Sequence, residues 1–63
     1  MPLAHIYLLE GRGEDERRAV IEKVTDALCE AVGASRETVR VLIVDVAKDS
    51  WGIGGRSAKD LGR

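Results

Sequence analysis

The stretch that most constrains this chain is Leu3 to Leu9, a strand-length run without a polar face. Strand side chains alternate between two faces, which places Ala4, Ile6 and Leu8 on one and Leu3, His5, Tyr7 and Leu9 on the other. Both sets are largely apolar, so both faces need a cover. A chain of 63 residues has little to cover them with, because a domain this short buries only about 60% of the surface its unfolded form exposes. One face is expected to receive the chain's own helix, and the other something outside it. His5 and Tyr7 read as packing or interface groups on such a face.

The helix follows directly. Glu10-Gly11-Arg12-Gly13 breaks the strand, and Glu14-Asp15-Glu16 sets three acids in a first helical turn, where the positive end of the dipole favours them. Gly13 is a modest N-cap. Val20, Ile21, Val24, Ala27, Leu28, Ala31 and Val32 recur at spacings of three and four and form one apolar stripe. Gly33 stands where a helix ends in the left-handed conformation. Cys29 lies off the stripe, half exposed or at a subunit contact.

Ala34 to Thr38 is a short polar connection in which Ser35 can cap a single helical turn. Val39-Arg40-Val41-Leu42-Ile43-Val44-Asp45-Val46 is then a β-branched run of the kind buried on both sides in parallel pairing. Strand, helix, strand implies a right-handed β-α-β unit with parallel strands. Arg40 is the anomaly there, since a guanidinium in an apolar strand is costly unless an anion meets it. That anion is a ligand, Asp45 or an acid of a neighbouring chain.

Ala47 to Ser50 is a turn, and Trp51-Gly52-Ile53-Gly54-Gly55 sets the only tryptophan among glycines that let the backbone reverse in a short hairpin. A loop-borne indole in so small a chain anchors against a neighbouring subunit or lines a pocket. Ser57 to Arg63 is polar and is expected to be mobile at its end. The whole is one domain, 1–63, of α+β class.

Stability has to come from elsewhere. Cys29 is the only cysteine, which removes disulfides, and one Cys with one His falls short of a metal site. Self-association is the remaining staple. A net charge of −1, from ten basic and eleven acidic side chains interspersed, offers no field for nucleic acid or an anionic membrane. No apolar run approaches the roughly 20 residues of a membrane span, and there is no signal-peptide pattern, so the cytoplasm is expected. Gly11-Arg12-Gly13 fails as a dinucleotide loop, because Glu16 replaces the third glycine. Gly52-Ile53-Gly54-Gly55 lacks the Lys-Ser or Lys-Thr of a phosphate loop.

Chemistry enters at Pro2. Once Met1 is cut off, its nitrogen is a secondary amine in a rigid ring; while Met1 is attached it is an amide and no base. Exclusion from water or nearby positive charge lowers the affinity of such an amine for protons, and a neutral amine near pH 7 can take a proton from an enol or from carbon. Proline in second place also occurs simply because it permits methionine removal, so Pro2 alone does not establish catalysis.

Taken together, Met1-Pro2, the strand ending Leu9-Glu10-Gly11-Arg12, the helix, Val39-Arg40-Val41 and Trp51-Gly52-Ile53-Gly54-Gly55 resemble the 4-oxalocrotonate tautomerase family, over essentially the whole chain. The resemblance implies a β-α-β protomer assembled as a trimer of dimers, a homohexamer, with sites built from more than one chain. It implies cofactor-free isomerisation of a dienol dicarboxylate such as 2-hydroxymuconate to its 2-oxo isomer. In that scheme Pro2 is the base, Arg12 binds the distal carboxylate, and Arg40 engages the keto-acid end and steadies enolate charge. Trp51 stands where the family commonly has Phe and keeps the pocket dry, and Leu9 is part of its wall. Two guanidiniums suit a dicarboxylate, because the planar fork meets a carboxylate through paired bonds. Water-adding relatives need a further acid or arginine, which Leu9 and Gly52-Ile53 do not supply. The alternatives are a superfamily member with a different enol-acid substrate, biosynthetic, dehalogenase-like or decarboxylase-like, a non-catalytic assembly module, or a place in a mixed hexamer whose partner chain supplies essential groups.

Overall fold

The structure, a computed structural model, describes residues 2–63. Removal of Met1, on which the basicity of Pro2 depends, concerns a residue outside that range. Strand β1 (Leu3–Leu9) leads into helix α1 (Glu14–Val32) and back to strand β2 (Arg40–Val46). A short hairpin of β3 (Gly52–Ile53) and β4 (Arg56–Ser57) completes the chain. β1 and β2 are parallel, in register from Leu3 opposite Arg40 to Leu9 opposite Val46. The β-α-β unit expected from hydrophobic periodicity is therefore present, with its C-terminal hairpin.

Local chemistry accounts for the boundaries. Helix α1 opens after Gly13 with Glu14, Asp15 and Glu16 in its first turn. It closes on Gly33 at φ 70°, whose N–H bonds the Cys29 carbonyl at 3.0 Å, the left-handed cap that glycine adopts without a steric cost. A 3-10 turn at Arg36–Thr38 starts after Ser35. The Ser35 side chain does not cap an amide there; the Ser35 carbonyl accepts from the Thr38 N–H at 3.1 Å and from the Thr38 hydroxyl at 2.8 Å. An ion pair of Arg36 with Asp26 ties this turn to α1 and raises the Arg36 pKa, first through the hydrogen bond itself.

The two faces of the sheet differ. Ala4, Ile6 and Leu8 of β1, with Val41 and Ile43 of β2, are half-buried on the side of α1, which packs chiefly on β2. Arg17 crosses from α1 to Asp45 at 3.4 Å on the same side. On the other face Leu3 is 61% and Tyr7 56% exposed, and Leu42 and Val44 are exposed beside them. The rings of His5 and Tyr7 stack on that bare face, 4.8 Å apart.

The helical stripe is narrower than the apolar spacing implied. Val20, Val24 and Leu28 are half-buried with Arg17 and Cys29, whereas Ile21, Ala27, Ala31 and Val32 are exposed. A two-stranded sheet is too small a surface to engage them all. Only Val39 and Ala58 are buried among the described residues.

The polar C-terminus, expected to be loose at its end, is wound into turns. The Leu61 N–H bonds the Ser57 carbonyl at 3.1 Å, and the Arg63 N–H bonds the Ala58 carbonyl at 2.9 Å. Between β3 and β4, Gly54 and Gly55 adopt φ 60° and 86°, the two successive positive values that a tight hairpin turn requires. The resulting shape is a plate with extents of 42 × 23 × 13 Å and a radius of gyration of 14.4 Å, against about 11 Å for a compact chain of this length. Its accessible surface of 4612 Å² likewise exceeds the roughly 4,000 Å² of a compact monomer.

Candidate active site

In a parallel pair both strands run the same way, so residues that precede the strands gather at one end and residues that follow them at the other. Pro2, half-buried, lies at the first end. Its carbonyl accepts from the Arg40 N–H at 3.0 Å, which extends the ladder by one step and places the two residues side by side. The Arg40 guanidinium bonds the Glu37 carbonyl at 2.7 Å and the Val39 carbonyl at 3.1 Å. These are neutral acceptors offered by the 3-10 turn, and no carboxylate pairs with Arg40 among the described residues. Asp45, one candidate partner from sequence, is ruled out: it lies on the helix-covered side with Arg17, while Arg40 shares the parity of the bare face.

Leu9, Arg12 and Trp51 belong to the opposite end. Leu9 closes β1 opposite Val46 and is half-buried. Arg12 pairs with Glu16 at 3.2 Å, and its carbonyl accepts from the Arg17 side chain at 2.6 Å. Arg12 and Glu16 line a recess of about 330 Å³ with Leu8, Ala19 and Val20. Trp51, half-buried, follows the 3-10 turn at Lys48–Ser50, and its carbonyl accepts from the Ala58 N–H at 2.7 Å.

The structure thus brings Pro2 and Arg40 together at one end and leaves Leu9, Arg12 and Trp51 at the other. Six strand residues, Leu3 to Leu8, lie between Pro2 and Leu9, a span of roughly 23 Å at 3.3 Å per residue, farther than an arginine side chain reaches. No single chain assembles the five residues around one small molecule.

Two residues escaped the sequence reading. The Glu10 carboxylate accepts from the Lys48 N–H at 2.7 Å and so joins the end of β1 to the base of the hairpin segment. Nothing in the sequence separates Glu10 from a solvated turn residue. Glu16 as partner of Arg12 was not legible either, because Arg12 precedes the helix that carries Glu16 and spacing on a helix face does not apply to it. No group of three or more His, Cys, Asp or Glu side chains that could hold a metal ion occurs among the described residues.

The chain is similar to known proteins over nearly its whole length. The family model described as tautomerase enzyme matches residues 2–61. The chain is 65% identical over 63 residues to a 2-hydroxymuconate tautomerase of Comamonas testosteroni, with all of both chains covered. It matches a structure from work on the 4-oxalocrotonate tautomerase isozymes of Methylibium petroleiphilum with TM-score 0.97 and 68% identity, covering 98% of this chain and 100% of that one. A heterohexamer 4-oxalocrotonate tautomerase from Chloroflexus aurantiacus J-10-fl matches with TM-score 0.92 and 30% identity, covering 97% of this chain and 98% of that one.

Proposed function

This chain belongs to the tautomerase enzyme family and is an enol–keto isomerase, and from that premise we propose that it converts 2-hydroxymuconate, or a close dienol dicarboxylate, to the 2-oxo isomer in sites shared between copies. The observation that carries the proposal is the division of Pro2 and Arg40 from Leu9, Arg12 and Trp51 by the length of the sheet. A neighbouring copy that lays its far end against the near end of this one completes the set. The bare apolar face of Leu3, Tyr7, Leu42 and Val44 supplies the adhesion for such an assembly, and a homohexamer of single-domain chains, 1–63, is the form we favour.

The chemistry needs no co-reactant. The lone pair of the Pro2 nitrogen, free once Met1 is gone, takes the proton of the substrate's 2-hydroxyl. The O–H bond breaks, the C–O bond becomes a carbonyl, and the electron pair moves along the diene to a carbon, which takes the proton back from the ring nitrogen. Arg40 faces the keto-acid end. With no carboxylate of its own, its charge is available to the enolate oxygen as negative charge builds. Arg12 of a second copy holds the distal carboxylate, which is charged throughout, so it orients more than it activates. Leu9 and Trp51 form apolar walls that keep water out and keep the base unprotonated.

Complementation between two disabled chains tests the sharing. One chain carries an N-terminal extension, so that Pro2 is an amide; the other carries Arg12→Ala. Each assembly alone is expected to lose ultraviolet-monitored ketonisation of 2-hydroxymuconate. Co-refolded in equal amounts, they should regain about a quarter of normal activity, the share of randomly mixed sites with both groups intact. No recovery in well-formed mixed particles would exclude a shared site.

A second reading is favoured by the heterohexameric neighbour: this chain works with a different partner chain. Robust turnover by the purified single chain removes it. No helix among the described residues is long and apolar enough to cross a membrane, and we place the enzyme in the cytoplasm.

A further inference from the structure

We propose that Glu16 sets the preference of this enzyme among enol acids, as a counter-charge on Arg12 that an incoming distal carboxylate must displace or sit beside. The proposal rests on the reading of Arg12 as the seat of that carboxylate.

The two arginines are not equivalent. Among the described residues Arg40 rests on backbone carbonyls, whereas Arg12 already holds a carboxylate through a single contact, Nη1 to Oε2 at 3.2 Å. Both side chains of that pair are 58% exposed, and they are the only charged groups lining a recess otherwise made by Leu8, Ala19 and Val20. An exposed pair of this kind is weak, so it yields to a competing anion. A guanidinium has further N–H donors to offer, but an anion bound beside Glu16 meets its negative charge at short range. Either way, Glu16 acts against a ligand that brings charge to Arg12 and is indifferent to one that does not. The backbone of Arg12 is held separately, by the Arg17 side chain on its carbonyl, so the contest is confined to the guanidinium.

A purely structural role for Glu16 gives a different result. As a helix-start ion pair it would affect melting temperature and leave substrate preference alone. Glu16→Gln discriminates, because it keeps the size and one acceptor oxygen of the side chain while removing its charge.

The experiment measures KM at low salt for 2-hydroxymuconate and for a dienol monoacid lacking the distal carboxylate, using the assembled enzyme, its Glu16→Gln variant and its Arg12→Ala variant. Glu16→Gln is expected to lower the dicarboxylate KM about two- to fivefold relative to the monoacid KM, with the difference shrinking as salt rises. Equal shifts for both substrates, or none, overturn the role of Glu16. Arg12→Ala separates the two claims. If it raises the dicarboxylate KM selectively while Glu16→Gln does nothing, Arg12 stands and Glu16 falls. If it changes neither KM selectively, both are overturned.

Discussion

The two ends of the sheet carry the same residue type with different partners. At the end where the strands begin, the Arg40 backbone pairs with Pro2, and among the described residues its guanidinium meets carbonyl dipoles and no carboxylate. At the end where β1 finishes, Arg12 is already partly neutralised by Glu16 and sits beside an apolar recess. The difference fits two tasks. Charge that appears only during the reaction is best met by a group with nothing else to hold, since such a group favours the transition state over the ground state. A carboxylate that is charged from the start needs only a seat, and a weakly occupied seat lets the product leave.

Blocking the Pro2 nitrogen with an N-terminal extension tests the reactive end most severely and is expected to reduce kcat about 10²–10⁴-fold. A fall of less than tenfold, with intact mass showing the extension in place, would remove Pro2 from the mechanism and break the contrast. Arg40→Ala comes next, with kcat lowered about 10²–10³-fold and KM changed far less; the reverse pattern would make Arg40 a mere seat like its counterpart. Arg12→Ala should act chiefly on KM, raising it about tenfold or more for the dicarboxylate. A loss confined to kcat would erase the proposed division of labour. The smallest effect is expected of Trp51→Phe, which keeps an apolar wall and should shift KM less than about threefold. A larger shift would mean that the indole touches the substrate through its N–H or its extra bulk.

The architecture was legible where periodicity carries the information. Two apolar strands flanking an apolar stripe gave the β-α-β unit, and Gly33 and the Gly54-Gly55 pair marked a helix end and a hairpin turn that their positive φ angles confirm. Burial was less legible. Ile21 and Val32 are as apolar as Val24 and Leu28, yet they stay exposed, because hydrophobicity does not distinguish a residue meant for its own core from one meant for another molecule. The partner of Arg40 was equally hidden. Asp45 was a candidate by proximity in the strand, but an odd separation puts the two on opposite faces, and the acceptors used instead are backbone carbonyls. The candidate site residues could be named from the sequence by family resemblance, and parallel pairing explains why they cannot converge within one chain.

A plate 13 Å thick has almost no interior in which to hide its greasy parts, and that bears on how the protein behaves when it is scarce. If folding and joining other copies are one event, a dilute chain is fodder for proteases rather than a slow catalyst. Output then rises more steeply than the number of chains made, so that a weakly expressed gene yields next to nothing and a strongly induced one switches the reaction on.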